Sequence, residues 1–550
     1  MYKKDGSAAS IYEALRPVRD NFLRRAEECA ALTIPMLVPR NSEERIGNIQ
    51  DFPTPRQGVG ARGVNHLSSR LLLTLLPPGA PIFKYSIDAF TLDFLSQLNE
   101  KIQIEIKNKL AQIEDSVQRE IETGGYRIGA IEIFKHLLVT GNVLEYLPKD
   151  GGLKFYPLYQ YVAVRDPEGD EIIDIVLKET LDRHSLDPDL VALADASDDI
   201  ISNSKGQEVN VAFDSSTSLV SEAIEIYTRQ YRLEKNKFKV QQEFKNGFII
   251  PGTEGEYKSD TVEYRALRWT AVPGEAYGRG FVEEYKGHLV ALEGLSQALI
   301  EGALAAARLV GLIRPNSNTR AKDLNDAPNG SFVQGMPDDV KFLQIEKSQD
   351  FSTAYNFGLE IKKDLEQAFL LNSSVIRDAE RVTAEEVRFV AQELETTLGG
   401  AYTVLANEFQ LPLVKSILAR LERKGDIPKF PPNLKNKIKP TIVTGVDALG
   451  RNAELDRIRV MFGTLQGIIG PEQTAAITNA RELAEYIKTQ SGVTVKGLIK
   501  SEEQMAQEAQ QAQQQAAMQE VISKGTGPAI NAVSKATTEA NAPAEAPQGG

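Results

Sequence analysis

The stretch that decides the architecture is "NSSVIRDAERVTAEEVRFVAQELETTLGGAYTVLANEFQLPLV", residues 372–414. Thr383 is a good helix N-cap, and Glu386, three residues on, completes a capping box. Val387, Val390, Leu394, Leu398, Ala401 and Leu405 follow at helical spacing. The helix is therefore well specified and its start is fixed. Two glycines, Gly399 and Gly400, fall inside it, and Pro412 lies near its end. Glycine pairs cause sharp kinks, so the helix is expected to bend there and run over a curved body. The loop before it carries Ser373, Ser374, Arg377, Asp378 and Arg381 with little apolar anchorage, and is expected to move.

Upstream of this stretch lie two further long helices. Residues 283–308 place Gly294, Ala298, Gly302 and Ala306 four residues apart, close to one stripe of a helix. Each interior glycine costs on the order of 1 kcal/mol relative to alanine, a cost offset only where another backbone approaches closely. That approach comes either from within one chain or from a second copy. Residues 349–371 carry Phe351, Tyr355, Gly358, Leu365 and Phe369 on one side, and Glu360, Lys362, Lys363 and Glu366 over much of the rest. The apolar side is suited to the small-residue helix. The charged side then faces water or a water-filled passage.

The rest of the chain alternates in character. Residues 10–76 read as helix broken at "DFPTPRQG", and helices are expected over 93–123 and 127–140. After Gly141 the period changes. "NVLEYLP", "LKFYPLYQYVAVRD", "EIIDIVLKETL", "AIEIYTRQYRL", "KFKVQQEF" and "VEYRALRWTAV" are rich in β-branched and aromatic residues, with Asn246-Gly247 as a hairpin signal. Residues 187–207 read as an acidic surface excursion, 314–347 and 427–444 as proline-punctuated irregular segments, and 452–500 as a helical group. The Gln/Ala-rich segment from 501 could be helical, whereas the final 26 residues have few core-forming residues and are expected to be disordered. The fold class is thus α+β and mainly α-helical.

Composition narrows the function. At 550 residues the chain exceeds one typical core. A single cysteine, Cys29, excludes an internal disulfide and a Cys-rich metal site, and the four histidines lack metal-ligand spacing. The most apolar short run, 71–83, is too short and proline-rich to span a bilayer, so no membrane partner is expected. The charged N-terminus does not read as a signal peptide. The net charge of −13 argues against tight gripping of nucleic acid, though not against a nucleic acid that slides past. Gly58 to Gly63 match GxGxxG, but two prolines and no strand precede them, so a packed turn into a helix is favoured over a dinucleotide site. No catalytic, cofactor or metal residues are assigned.

Several of these segments, in this order, are familiar: "TPRQGVGARGVNHLSSRLLLTLLPP" (54–78), "GNVLEYLP" (141–148), "GEAYGRGFVEEYKGHLVALEGL" (274–295) and 380–414. They closely resemble the portal, or head-to-tail connector, proteins of short-tailed bacteriophages, over about 10–450. The resemblance implies a non-enzymatic, ring-forming subunit, typically twelve copies at one capsid vertex, through which double-stranded DNA is packaged and ejected. It implies a wing over 1–281, stem helices over 282–308 and 349–371, and a clip over 309–348 that meets the terminase large subunit and later the tail adaptor. It further implies a tunnel loop over 372–382, a bent helix and connector over 383–450, and a crown over 451–505. Nothing is carried over to the tail, 506–550. Lys362, Lys363 and Glu366 become candidates for the channel wall, and Arg377 and Arg381 for brief phosphate contact. Major capsid protein, scaffolding and internal core proteins are the remaining implied partners, with assembly in the host cytoplasm. Rival readings are a scaffold or adaptor subunit of the virion and, from another class, a nucleotide-dependent enzyme using Gly58 to Gly63.

Overall fold

The computed structural model describes residues 6–39, 52–78, 82–87, 100–166, 171–205, 223–234, 236–307, 311–342, 348–371, 393–394, 396–398, 400–428, 438–442 and 460–478, with positions 458, 483 and 484. The chain divides into two units, residues 1–448 and 449–550.

In the first unit, helix α1 (Ala8–Ala31) starts at Ser7, whose hydroxyl accepts the Ser10 N–H at 3.4 Å. Helix α2 (Val59–Leu75) follows, then α3 (Glu100–Thr123) and α4 (Tyr126–Thr140). Gly125, at φ +72°, makes the left-handed joint between the last two. Helix α4 is the centre of the core: Tyr126, Ala130, Ile133, Phe134, Leu137 and Leu138 are all fully buried. It ends at Gly141, at φ +73°, where a Cβ would lie 2.4 Å from the backbone of Arg279 and Gly280. Only glycine satisfies both constraints, and the period changes from helix to strand at that residue.

Two antiparallel sheets follow. The smaller pairs β2 (Asn142–Tyr146) with β3 (Lys154–Pro157) on one side and β9 (Tyr264–Arg268) on the other. The larger runs in the order β4 (Tyr161–Arg165), β5 (Ile172–Asp182), β6 (Ala223–Glu234), β7 (Lys237–Phe244) and β8 (Gly255–Lys258). A turn does follow β7 at Asn246-Gly247, but as a three-residue loop, 245–247, rather than the two-residue hairpin that the pair signals: Gly247, at φ +87°, donates its N–H to the Phe244 carbonyl at 2.8 Å, and Phe244 N–H bonds to the Phe248 carbonyl at 3.0 Å. The acidic surface segment is largely helical. It contains helix α5 (Pro188–Lys205), whose Leu190, Leu193 and Ala194 pack on Ile226, Phe244 and Ile250 of the larger sheet's side. The aspartates lie between these apolar positions in sequence and hide their helical period from a composition-based reading.

Two features were not legible in the sequence. Strand β1 (Phe83–Ile87) pairs antiparallel with β12 (Ile438–Ile442), joining chain segments some 350 residues apart by number. Proline in that second segment reads as a connector, but Pro440 sits on a two-stranded ribbon that tolerates a missing donor. The other is a buried ion pair. Arg229 on β6 donates from Nη2 and Nε to Asp174 Oδ2 on β5, at 2.7 and 3.0 Å, with the two side chains 5% and 0% exposed. Asp174 faces Tyr231 in the register, so Arg229 reaches it diagonally, and the guanidinium also stacks over the Tyr231 ring at 4.5 Å. In the second unit, residues 460–469 form a helix, followed after Gly470 (φ +86°) by helix Pro471–Ile477.

Removing one member of a buried pair leaves an uncompensated charge. Asp174→Ala is therefore expected to destabilise the first unit by about 3–5 kcal/mol, read from the denaturation midpoint. A loss below about 1 kcal/mol would mean that Arg229 does not depend on that carboxylate.

Candidate functional site

Two long helices leave the body side by side. Helix α6 (Lys286–Ala307) and helix α7 (Ser348–Ala368) run antiparallel, because Gly302 meets Phe351 at one end while Leu292 and Leu295 meet Gly358 further along. A Cβ on Gly302 would come 2.2 Å from the half-buried Phe351 ring, so any side chain there makes that ring swing aside. Gly294 has open space around its Cβ position, and Ala298 and Ala306 are exposed. The four-residue stripe is split for a geometric reason. At 3.6 residues per turn, each step of four rotates the position by about 40°, so Gly302 lies about 80° round from Gly294.

The outer side of α6 is its unusual property. By length and composition Lys286–Ala306 could cross a membrane, yet only 11% of its most apolar 18-residue window is buried in the isolated chain. Val290, Ile300 and Leu304 are 50%, 46% and 63% exposed. On α7, Phe351, Gly358, Leu365 and Phe369 face inward, but Tyr355 is 55% exposed, with Phe357 and Leu359 also out. Among the charged candidates, Lys363 is exposed, whereas Lys362 lies 3.8 Å from Glu366, which also approaches Arg62 of α2 at 3.9 Å. Between the helices, strands β10 (Gly311–Ile313) and β11 (Val340–Phe342) pair antiparallel, and a small module exposes Phe332 and Met336.

The root of this pair lies against α2. Trp269, Phe281, Tyr285 and Phe369 form an aromatic cluster, with Phe281 edge-on to Phe369 at 5.5 Å and to Trp269 at 6.1 Å. Glu293 of α6 accepts the backbone N–H groups of Arg56 and Gln57, both at 3.1 Å, and Gln57 accepts the Gly60 N–H at 2.9 Å. Three of the amides at this end, those of Arg56, Gln57 and Gly60, are therefore engaged by side chains of the same chain rather than open to a phosphate. The glycines of the GxGxxG match also have packing duties. A Cβ on Gly60 would lie 2.6 Å from the Leu32 carbonyl oxygen, and one on Gly63 would lie 2.4 Å from the Phe369 ring. At the surface, Lys286 pairs with Glu28, and that ammonium hydrogen bond lowers the Glu28 carboxyl below the usual range. Burial pushes His136 down to about 4, so this core imidazole beside Phe155 stays neutral. No cluster of three metal-ligating side chains occurs among the described residues.

Ser373, Ser374, Arg377, Asp378, Arg381, the Thr383 cap and Gly399 lie outside the described residues. Gly400 opens a helical stretch, Gly400–Leu405, with nothing near its Cβ position. The irregularity that the structure displays comes next, as a π-helical turn at Ala406–Gln410 leading into helix α8 (Leu411–Lys424). Leu411 N–H bonds back to the Ala406 carbonyl, five residues earlier. Pro412 supplies the reason, since its ring would clash with the carbonyl four residues before it in a regular α-helix.

The family of bacteriophage head to tail connecting proteins matches residues 5–499, and the chain belongs to that family. It is 35% identical to the portal protein of Escherichia phage T7 over 94% of this chain and 92% of that protein. It is 33% identical to the portal protein of Enterobacteria phage T3 over 98% and 96%. A neck structure from an empty gene transfer agent particle aligns with 78% of this chain and 90% of its own at 12% identity, with a TM-score of 0.33; the family assignment rests on the sequence relatives.

Gly302 and Gly294 of α6 should respond oppositely in the unassembled chain. Gly302→Val is expected to cost about 1–3 kcal/mol by forcing Phe351 aside. Gly294→Ala should stabilise by about 0.5–1 kcal/mol through helix propensity. Thermal melts of monomeric protein check both, and equal effects would contradict the split of the stripe.

Proposed function

We propose that many copies of this chain close into a ring with an axial channel for double-stranded DNA, at one vertex of a bacteriophage capsid. The observation that carries the reading is the α6 surface: Val290, Ile300 and Leu304 stand exposed on a helix whose most apolar 18-residue window is only 11% buried, and family membership makes another copy the natural cover. A patch exposed on one side of a helix pair and complemented by a different patch on the next copy gives a heterologous contact, which closes into a ring when the rotation between copies divides a full turn. On this reading residues 1–281 are the wing, α6 and α7 the stem, 309–348 the clip, 372–382 the tunnel loop and 451–505 the crown. The exposed Phe332 and Met336 then sit on the part that meets the terminase and the tail adaptor.

The role is mechanical rather than catalytic. A net charge of −13 suits a conduit, because a strongly basic wall would hold the duplex by counterion release and oppose sliding. Arg377 and Arg381, repeated round the ring, would touch phosphates at one narrow level only. Of the three candidates Lys362, Lys363 and Glu366, Lys363 is the exposed one and so the candidate carried forward for the channel wall.

Purified protein imaged in negative stain should show annuli with a central hole and a mass that is a large multiple of 60.6 kDa. A compact monomer under packaging-like conditions would contradict the proposal. Truncation after Glu520 should leave ring formation intact, separating a conduit from an assembly driven by its tail. Arg377→Ala/Arg381→Ala rings should form normally but retain less packaged DNA; unchanged retention would remove the arginines from the mechanism while leaving the ring in place.

A further inference from the structure

One face of helix α2 touches the chain on both sides of residues 372–392. Gly63, His66 and Arg70 follow at steps of three and four, on one side of the helix. Phe369, fully buried, packs on Gly63, where no Cβ could fit. The next residue, Leu370, turns its carbonyl to His66, whose Nε2–H donates to it at 3.1 Å. Because a carbonyl only accepts, the proton is on Nε2, and burial together with the nearby Arg70 charge keeps this imidazole below its ordinary pKa and neutral. One turn further along α2, Arg70 donates from Nη1 to Glu393 Oε2 at 2.6 Å. Arg70 is 2% exposed, and Leu394 beside that carboxylate is fully buried.

The entry side is held in an unusual backbone state. Leu370 has φ +56°, the left-handed region that disfavours a branched side chain. Three hydrogen bonds over-determine it: Phe369 N–H to Leu365 O at 2.9 Å, Leu370 N–H to Gln367 O at 3.1 Å and Leu371 N–H to Glu366 O at 2.8 Å. The last of these is the six-to-one bond of a Schellman-type helix end, formed without glycine. A residue in this conformation persists only where its surroundings hold it, and here they are α2 and the aromatic cluster around Phe369.

We infer that Gly63, His66 and Arg70 are positioning residues that fasten the exit of helix α7 and the return at Glu393 to one helix, fixing the separation of the two chain ends that flank 372–392. The span along α2 from Gly63 to Arg70 is about 10 Å, which sets the distance over which those ends are held. The inference rests on the proposed reading only for its consequence: the two flanking ends are held alike in each copy of a ring.

The test uses the full chain, with amide hydrogen exchange followed in peptides covering 366–371 and 393–398. Arg70→Met and Glu393→Gln should each speed exchange in these peptides at least about tenfold, leave β5 and β6 unchanged, and show no further increase when combined. His66→Ala should act on 366–371 alone, and Arg70→Lys should restore part of the protection. Unchanged exchange at 366–371 and 393–398 in folded variants, additive effects in the double variant, or a uniform rise across the body would each overturn the inference. Glu393→Gln keeps the test available should Arg70→Met fail to fold, since Glu393 is 23% exposed. Local exchange that rises while rings still retain DNA normally would support the fastening and count against a channel role for the segment. Absence of rings with the exchange pattern intact would count against the conduit reading alone.

Discussion

The rest of the structure depends on how closely backbones approach helix α2. Gly60 lets the Leu32 carbonyl lie against one end of it, and Gly63 lets the Phe369 ring lie against its side. Glu293 then spans from helix α6 to the amides just before α2. One helix therefore receives the N-terminal helical layer, the start of the first long helix and the end of the second. A methyl group at either glycine would separate these elements, and in a core packed to crystal-like density such a gap is not absorbed locally.

The helix pair rooted there has a divided surface. Its inner faces are satisfied within the chain, through Leu292, Leu295 and Gly302 on one side and Gly358, Ile361 and Leu365 on the other. Its outer apolar side is left open. Water contact with that side costs roughly 25 cal/mol for each Å² of apolar surface, so a partner that covers it gains in proportion. Isolated exposed side chains such as Val18 need no explanation, but Val290, Ile300 and Leu304, exposed on one helix and interleaved with Glu293, Gln297 and Glu301, do. Membership of the head to tail connecting family and this open side point to the same assembled state.

The β-rich part is stabilised differently. Its larger sheet contains a buried Arg229–Asp174 pair, and the smaller sheet sets Glu145 directly opposite Arg265, 3.6 Å apart. Burial pushes the Glu145 carboxyl up to about 7, with Arg265 acting in the opposite direction. Arg265 also donates to Ser416, tying helix α8 to the strand beneath it. These buried charges fix strand and helix registers more than they add net stability, because desolvation offsets most of their attraction.

Periodicity in the sequence determined most of the helices and strands of the first unit, including the change at Gly141 and the turn at Asn246-Gly247, because local sterics and the alternation of apolar residues are properties of neighbouring positions. It also marked Gly302, Gly60 and Gly63 as glycines in need of a reason. The reasons themselves came from residues far along the chain: Phe351, Leu32 and Phe369. Pro412 was visible, but its π-turn was not, and the acidic helix α5 was concealed by its aspartates. Gly399, the first residue of the expected bend, and the polar positions before it fall outside the described residues. Only tertiary structure decided that β1 joins β12, that Arg229 meets Asp174, and that the small-residue stripe divides between an inner and an outer side. Each depends on which distant surfaces meet, and that information is absent from the spacing of residues within one element.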